Sequence, residues 1–305
     1  LTTHRGDEAR LTKNRHTGVP AFFARLAISQ TAARDRGGIA MTQFHVFAAA
    51  DETSAHPAIR TIQLSDLRDA LAEGWADFEA RPTHLVFLAL IYPVLGFGLA
   101  AWASGADVLA LIYPLMSGFA LLGPVAAVGL YEISRRRESG EESSLSHAFD
   151  VLRAPSLPAI VTLGLLLALL FGGWLGTARS LDKIIMGPTD HGTYRQFLTA
   201  LLTTARGWEL IVVGNLAGLI FAGIVLSLSV VSFPLLLDRD VGAAAAVETS
   251  LRAIAANPFV LAVWGLIVAL GLAIGFATLF VGLAVIVPVL GHATWHLYRR
   301  VVAAG

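Results

Sequence analysis

Residues 253–298 read AIAANPFVLAVWGLIVALGLAIGFATLFVGLAVIVPVLGHATWHLY, 46 positions without an Asp, Glu, Lys or Arg. As one helix this stretch would run to about 70 Å at ~1.5 Å per residue, over twice the thickness of a bilayer's hydrocarbon core. It must therefore fold back on itself, and a pair of helices meeting near Gly271 to Gly282 satisfies both its length and its lack of charge.

Four more uncharged stretches precede it: Pro82–Ala106, Val108–Tyr131, Ala154–Ala178 and Leu210–Leu237, each 24 to 28 residues long. A spanning helix needs about 20. Of the 305 residues 55% are hydrophobic and 14% charged, with a mean hydropathy of +0.67. Soluble domains carry about 25% charged residues, so this much apolar surface calls for lipid as its solvent. The expected fold is an all-α, six-span bundle with spans at about 83–103, 107–131, 156–177, 208–236, 258–275 and 280–298. Pro93, Pro114, Pro124, Pro234 and Pro288 lie within or near these spans and are read as kinks, because neighbouring helices can satisfy the freed carbonyls.

The spans are arranged as three hairpins, each preceded by an amphipathic surface helix that stops at a proline. In the first, from Ser65 to Arg81, Leu67, Leu71, Trp75 and Phe78 recur at helical steps against Asp66, Arg68, Glu73, Asp77 and Glu79. Leu145 to Arg153 and Val247 to Asn257 repeat this grammar before Pro155 and Pro258. Length and charge suit all three to the membrane surface. Residues 1–60 form a polar tail with no sustained apolar period and are expected to be disordered. The first methionine is Met41, so residues 1–40 are expected to stem from an upstream start assignment.

Lys and Arg bias sets the orientation. Arg68, Arg81, Arg135, Arg136, Arg137, Arg153, Arg239, Arg252, Arg299 and Arg300 fall on one side, against Arg179, Lys183, Arg195 and Arg206 on the other, which places both termini in the cytoplasm of a cell with an inner membrane. The long loop from Arg179 to Arg206 on the other side reads as an ordered cap or short surface helix. Gly172 and Gly176, Gly214 and Gly218, and Gly271 and Gly275 stand four apart, a spacing that lets helix backbones approach closely in lipid.

Several strings resemble the uncharacterised bacterial integral membrane family called domain of unknown function 2189. They are Gly74-Trp75-Ala76-Asp77-Phe78, Ile91-Tyr92-Pro93, Gly118-Phe119-Ala120-Leu121-Leu122-Gly123-Pro124, Gly129-Leu130-Tyr131-Glu132 running into Arg135-Arg136-Arg137, and Gly291-His292-Ala293-Thr294-Trp295-His296. Together they extend over about residues 60 to 300. The resemblance implies a multi-span membrane protein and brings no activity with it.

Cysteine is absent, which excludes disulfides, zinc-thiolate sites, iron–sulfur clusters and c-type haem attachment. Lys plus Arg equals Asp plus Glu, 22 each, and no nucleic-acid partner is expected. No phosphate-binding glycine loop, His-Glu-x-x-His or Gly-x-Ser-x-Gly is present, so no catalytic residues are assigned. His292 and His296 share a helix face, as metal or haem ligation can require, or else belong with Trp295 and Tyr298 to an interfacial belt. Arg135, Arg136 and Arg137 form a basic cluster that either sets topology or binds anionic lipid or a partner; Glu132 is expected to pair with it. Asn215, Ser227, Ser229 and Ser232 either bond across helices or line a path.

The expected activity is therefore non-enzymatic, a membrane scaffold or accessory protein whose partners are lipid and a membrane protein or a second copy. Cofactors are none. A small-solute transporter or channel is the alternative, and a haem or quinone redox component a weaker one.

Overall fold

In the computed structural model, residues 57–80, 96, 111–187 and 193–303 are described. The expected tail up to residue 56 and the span at 83–103, Gly96 excepted, lie outside these residues, while residues 57–60, expected to be part of the tail, are placed. Among the described residues the protein is all-helical, with an isolated bridge between Ile59 and Val302 as its extended pairing.

Among the described residues ten α-helices follow in chain order: α1 Leu64–Ala80, α2 Ile112–Phe119, α3 Gly123–Glu138, α4 Leu157–Ile185, α5 Tyr194–Thr203, α6 Ala205–Ser229, α7 Ser232–Asp238, α8 Ala243–Ala256, α9 Pro258–Ala277 and α10 Leu283–Val301. Two 3-10 segments, Ala120–Leu122 and Leu145–Arg153, complete the list. The second expected surface helix is thus 3-10 rather than α.

Among the described residues four helical stretches are long and apolar enough to cross a membrane: Ile112–Glu138, Leu157–Ile185, Ala205–Asp238 and Pro258–Ala277. They match expected spans two to five, and the first three run past the uncharged stretches. α4, for instance, continues through Arg179, Asp182 and Lys183. α10, the expected sixth span, is not among the four, because its last turns carry His292, His296, Arg299 and Arg300.

Proline and tryptophan chemistry shapes the first of these stretches. Pro124 lacks an N–H, so the helix tightens into the 3-10 turn at Ala120–Leu122 and restarts at Gly123. The buried Trp174 of α4 donates its indole N–H to the Pro114 carbonyl at 2.8 Å, fixing α2 against α4. On the other face of α4, Val161, Leu165 and Leu169 are exposed, as are Leu266, Leu270 and Ile274 of α9. Exposed apolar rows of this kind need lipid around them.

The long loop after α4 contains α5, capped by Thr193, whose side chain receives the Gln196 N–H while the Gln196 side chain accepts from the Thr193 N–H. α9 and α10 meet at Thr278–Gly282, within the turn region expected. There Leu279 and Phe280 take positive φ of 54° and 67°, and Thr278 accepts the Gly282 N–H. Gly271 lies under Ile286 and Leu290, and Gly275 under Leu283, so this glycine pair does bring two helices close. Gly172, Gly176 and Gly214 have nothing within 4 Å of where a Cβ would stand.

The first expected amphipathic helix forms as α1. α1 packs along α10, burying Leu67, Ala70, Gly74 and Asp77, while Trp75 is 46% exposed. The buried stripe is rotated from the one the large side chains suggested, because small residues admit α10 closely. A Cβ at Gly74 would lie 2.6 Å from the Ala293 nitrogen. Upstream of α1, Asn257 accepts the Ile62 N–H at 2.8 Å and donates to the Arg60 carbonyl at 3.0 Å. Arg60 in turn donates to Val301 O, which ties the entry to α1 to the end of α10.

Candidate functional site

The polar residues concentrate where the C-terminal ends of α3, α7 and α10 come together and α1 crosses them. Asp77 is the centre. Its Oδ2 accepts from Ser134 Oγ at 2.6 Å and from His296 Nε2 at 2.8 Å, and its Oδ1 lies 3.0 Å from Arg137 Nη1. Ser134 has one hydroxyl proton and gives it to Asp77, so its oxygen is left to accept from His292 Nδ1, 2.7 Å away. That assigns the Nδ1–H tautomer to His292, which is 1% exposed.

His296 stands between two carboxylates, Asp77 at Nε2 and Glu73 at Nδ1 (3.1 Å), an arrangement that both nitrogens satisfy only as donors. Arg300 closes the row with two 2.8 Å bonds to Glu73, the forked geometry that guanidinium and carboxylate favour. A second row runs beside it. Glu138 accepts from Trp295 Nε1 and Arg299 Nε, both at 3.0 Å, and Asp238 accepts from Tyr298 Oη at 2.6 Å and Arg299 at 3.4 Å. Between the rows lies an open cleft of about 430 Å³, lined by Glu73, Asp77, Arg137, Glu138, His296, Arg299 and Arg300.

The basic cluster is engaged within the protein. Arg135 forms two 2.8 Å bonds to Glu132, whose side chain is 4% exposed, so the expected pair is a buried one. Arg136 faces Glu132, Glu141 and Asp150 at 3.9, 3.6 and 3.5 Å. Arg137 adds the Ala76 carbonyl at 2.7 Å to its bond with Asp77.

Elsewhere, Asn215 accepts from Tyr113 Oη and donates to the Ile211 carbonyl, both at 2.8 Å, on an exposed face joining α2 and α6. Ser227, Ser229 and Ser232 each donate to a carbonyl four residues earlier, and Ser232 also reaches Ala246 O at 3.0 Å. The structure therefore brings His292 and His296 together with Arg137 and leaves Asn215 and the serines apart from them. Both imidazoles are engaged by Ser134, Asp77 and Glu73. Among the described residues no three His, Asp or Glu side chains are grouped as a metal site would group them.

Sequence reasoning missed Asp77, Glu73, Ser134, Glu138 and Asp238 as partners of the last helix. One signal was present: Gly74 and Asp77 stand on the same side of α1 as Leu67 and Ala70. A glycine and a carboxylate on a buried stripe mark a close helix contact with a polar partner.

The electrostatics make this junction acid-sensitive. The Arg300 hydrogen bonds hold Glu73 below its ordinary value of 4.5, against a smaller opposing effect of burial. Burial pushes Asp77 up, but hydrogen bonds from His296 and Ser134 outweigh it, leaving it below its ordinary 3.8. Groups depressed in the folded state stabilise it above their unfolded values and lose that contribution as pH falls through the folded ones. Hydrogen exchange of α1 amides should therefore stay slow from pH 7 down to pH 5 and accelerate below pH 4, after correction for intrinsic rates. Unchanged corrected protection at pH 3 would contradict the assignment.

No curated protein and no solved structure matches the chain. Four apolar helices of membrane-spanning length make it an integral membrane protein in composition and form. Over residues 112–238, which run from α2 to α7 and leave α1 and α10 outside, it matches the model of the family described as "Predicted integral membrane protein (DUF2189)", the family its sequence strings resemble.

Proposed function

We propose that this protein is a non-enzymatic scaffold or accessory protein of the inner membrane, with six spans and both termini in the cytoplasm. The four membrane-length helices are joined in this reading by the uncharged segment at 83–103 and by α10. The end where Glu138, Asp238 and Arg299 meet also carries Arg135, Arg136, Arg137, Arg153, Arg239 and Arg252, an excess of the kind found on cytoplasmic faces.

The observation that carries the reading is the state of the candidate path residues. Asn215 and the three serines are engaged by backbone carbonyls or by Tyr113 rather than left to bind a passing solute. Transport sites keep such groups available and place broken helices beside them. Here Asn215 and Ser232 join neighbouring helices, while Ser227 and Ser229 bond within their own helix.

The test uses the absence of native cysteine. Asn215→Cys in sealed proteoliposomes is expected to resist a membrane-impermeant thiol reagent that labels Glu141→Cys readily, and solute release from the vesicles should match protein-free controls. Rapid labelling at position 215 together with a solute flux that Asn215→Leu abolishes would replace the scaffold by a conduit.

A further inference from the structure

We propose that the 3-10 segment Leu145–Arg153 and the α8–α9 junction form a lipid-seated collar, in which Phe149, Leu152, Leu251 and Phe259 enter the headgroup–acyl boundary of one leaflet and Arg153 and Arg252 lie over its phosphates. The inference rests on the membrane-spanning reading and names the lipid-contacting residues within it.

Three features lead to it. First, the four apolar side chains are exposed by 65%, 64%, 46% and 67%, although each lies within about two turns of the start of a membrane-length helix. Second, the exposure is continuous with the lipid-facing rows. Phe149 and Leu152 lead into Val161, Leu165 and Leu169 of α4, and Phe259 into Leu266, Leu270 and Ile274 of α9. Aromatic and aliphatic side chains directly before a span sit at the depth where water gives way to acyl chain.

Third, both patches belong to one end of the bundle. The 3-10 segment is held to the end of α3 through Asp150 and Arg136 at 3.5 Å, and Asn257 at the head of α9 is tied to Arg60 beside the end of α10. A cation flanks each patch: Arg153, with its side chain 88% exposed and 3.8 Å from Asp150, and Arg252, exposed beside Leu251. Long basic side chains next to buried apolar ones reach up to the phosphates. α1 differs, since its buried stripe faces α10 and the collar does not include it.

The experiment places single cysteines in the full chain at positions 149 and 259, with Glu141→Cys as the aqueous reference and Leu169→Cys as the mid-span reference. Each is labelled with an environment-sensitive fluorophore in vesicles of phosphatidylcholine and phosphatidylglycerol. Labels at 149 and 259 should emit to the blue of the label at 141 and resist iodide. A phosphatidylcholine spin-labelled near the glycerol end of its acyl chain should quench them roughly threefold more than the reference. Removing phosphatidylglycerol should weaken that quenching, and the double variant Arg153→Gln, Arg252→Gln should abolish the dependence on it.

Iodide quenching at 149 and 259 equal to that at 141 overturns the collar. So does blue emission without lipid quenching, which would mean that protein, such as a second copy, covers the patch. Retention of the phosphatidylglycerol dependence in the double variant removes the role given to the arginines. Position 169 keeps the two readings apart. Lipid quenching there with none at 149 and 259 refutes the collar alone, and its absence at all three refutes the span.

Discussion

Asp77→Ala is expected to release α1 from α10 and to lower the apparent unfolding free energy in detergent by about 3 kcal/mol, a fall in thermal midpoint of about 6–12 °C for a chain of this size. The carboxylate is the shared acceptor of Ser134, His296 and Arg137, and its side chain is 7% exposed. Without it, the Ser134 hydroxyl and His296 Nε2 lose their acceptor, and an unmet buried donor costs about 1–3 kcal/mol. Arg137 adds less, because it is 39% exposed and keeps the Ala76 carbonyl. Asp77→Asn should fall between the two, since its single carbonyl oxygen can still accept from Ser134 or His296 but carries no charge. Differential scanning fluorimetry in one detergent decides the matter, and a midpoint within 1 °C of the parent for Asp77→Ala would show that the network does not hold α1.

Gly74→Ala should be comparably disruptive although it adds one methyl group. The new Cβ would stand 2.6 Å from the nitrogen, 2.8 Å from the Cα and 2.7 Å from the Cβ of Ala293. Two of those atoms are backbone, so relief requires α1 and α10 to separate. Overpacking of this kind costs about 1–3 kcal/mol, and the gain in helix propensity, about 1 kcal/mol, offsets part of it. The net effect in detergent should be a loss of about 1–2 kcal/mol and faster proteolysis within 57–80. Adding Ala293→Gly removes one of the three contacts and should restore the stability in part. A single variant as stable as the parent would mean that the two helices are not in contact at this point.

The membrane helices were legible because their signal is one-dimensional. A run without charge that is longer than a bilayer is thick admits few arrangements, and spans two to five emerge close to where the gaps stand. The ends were less legible. α4 continues through Arg179, Asp182 and Lys183, because a helix does not stop where its hydrophobicity does. α1 was found by period, with Leu67 buried and Leu71 and Phe78 packed at the edge of the core, but Trp75 is exposed and the small residues Ala70 and Gly74 that meet α10 were not read. The junction itself was illegible for a further reason. His292 and His296 were singled out, but their partners Ser134 and Asp77 lie 158 and 219 positions away, and no local spacing encodes such a meeting. Glu132 with Arg135, three apart on one helix, was readable for the opposite reason.

The dependence of α1 on α10 also has a consequence for biogenesis. α10 begins at Leu283, some 200 positions after α1 ends at Ala80. At translation speeds of about 5–20 residues per second, the ribosome needs roughly 10–40 s to cover that interval. Throughout it, the nascent chain must carry a helix whose Glu73 lacks Arg300 and whose Asp77 has Arg137 but not His296. The final assembly step of this protein is therefore post-insertional, and a ribosome stalled before position 283 leaves an exposed stripe that cellular proteases can recognise.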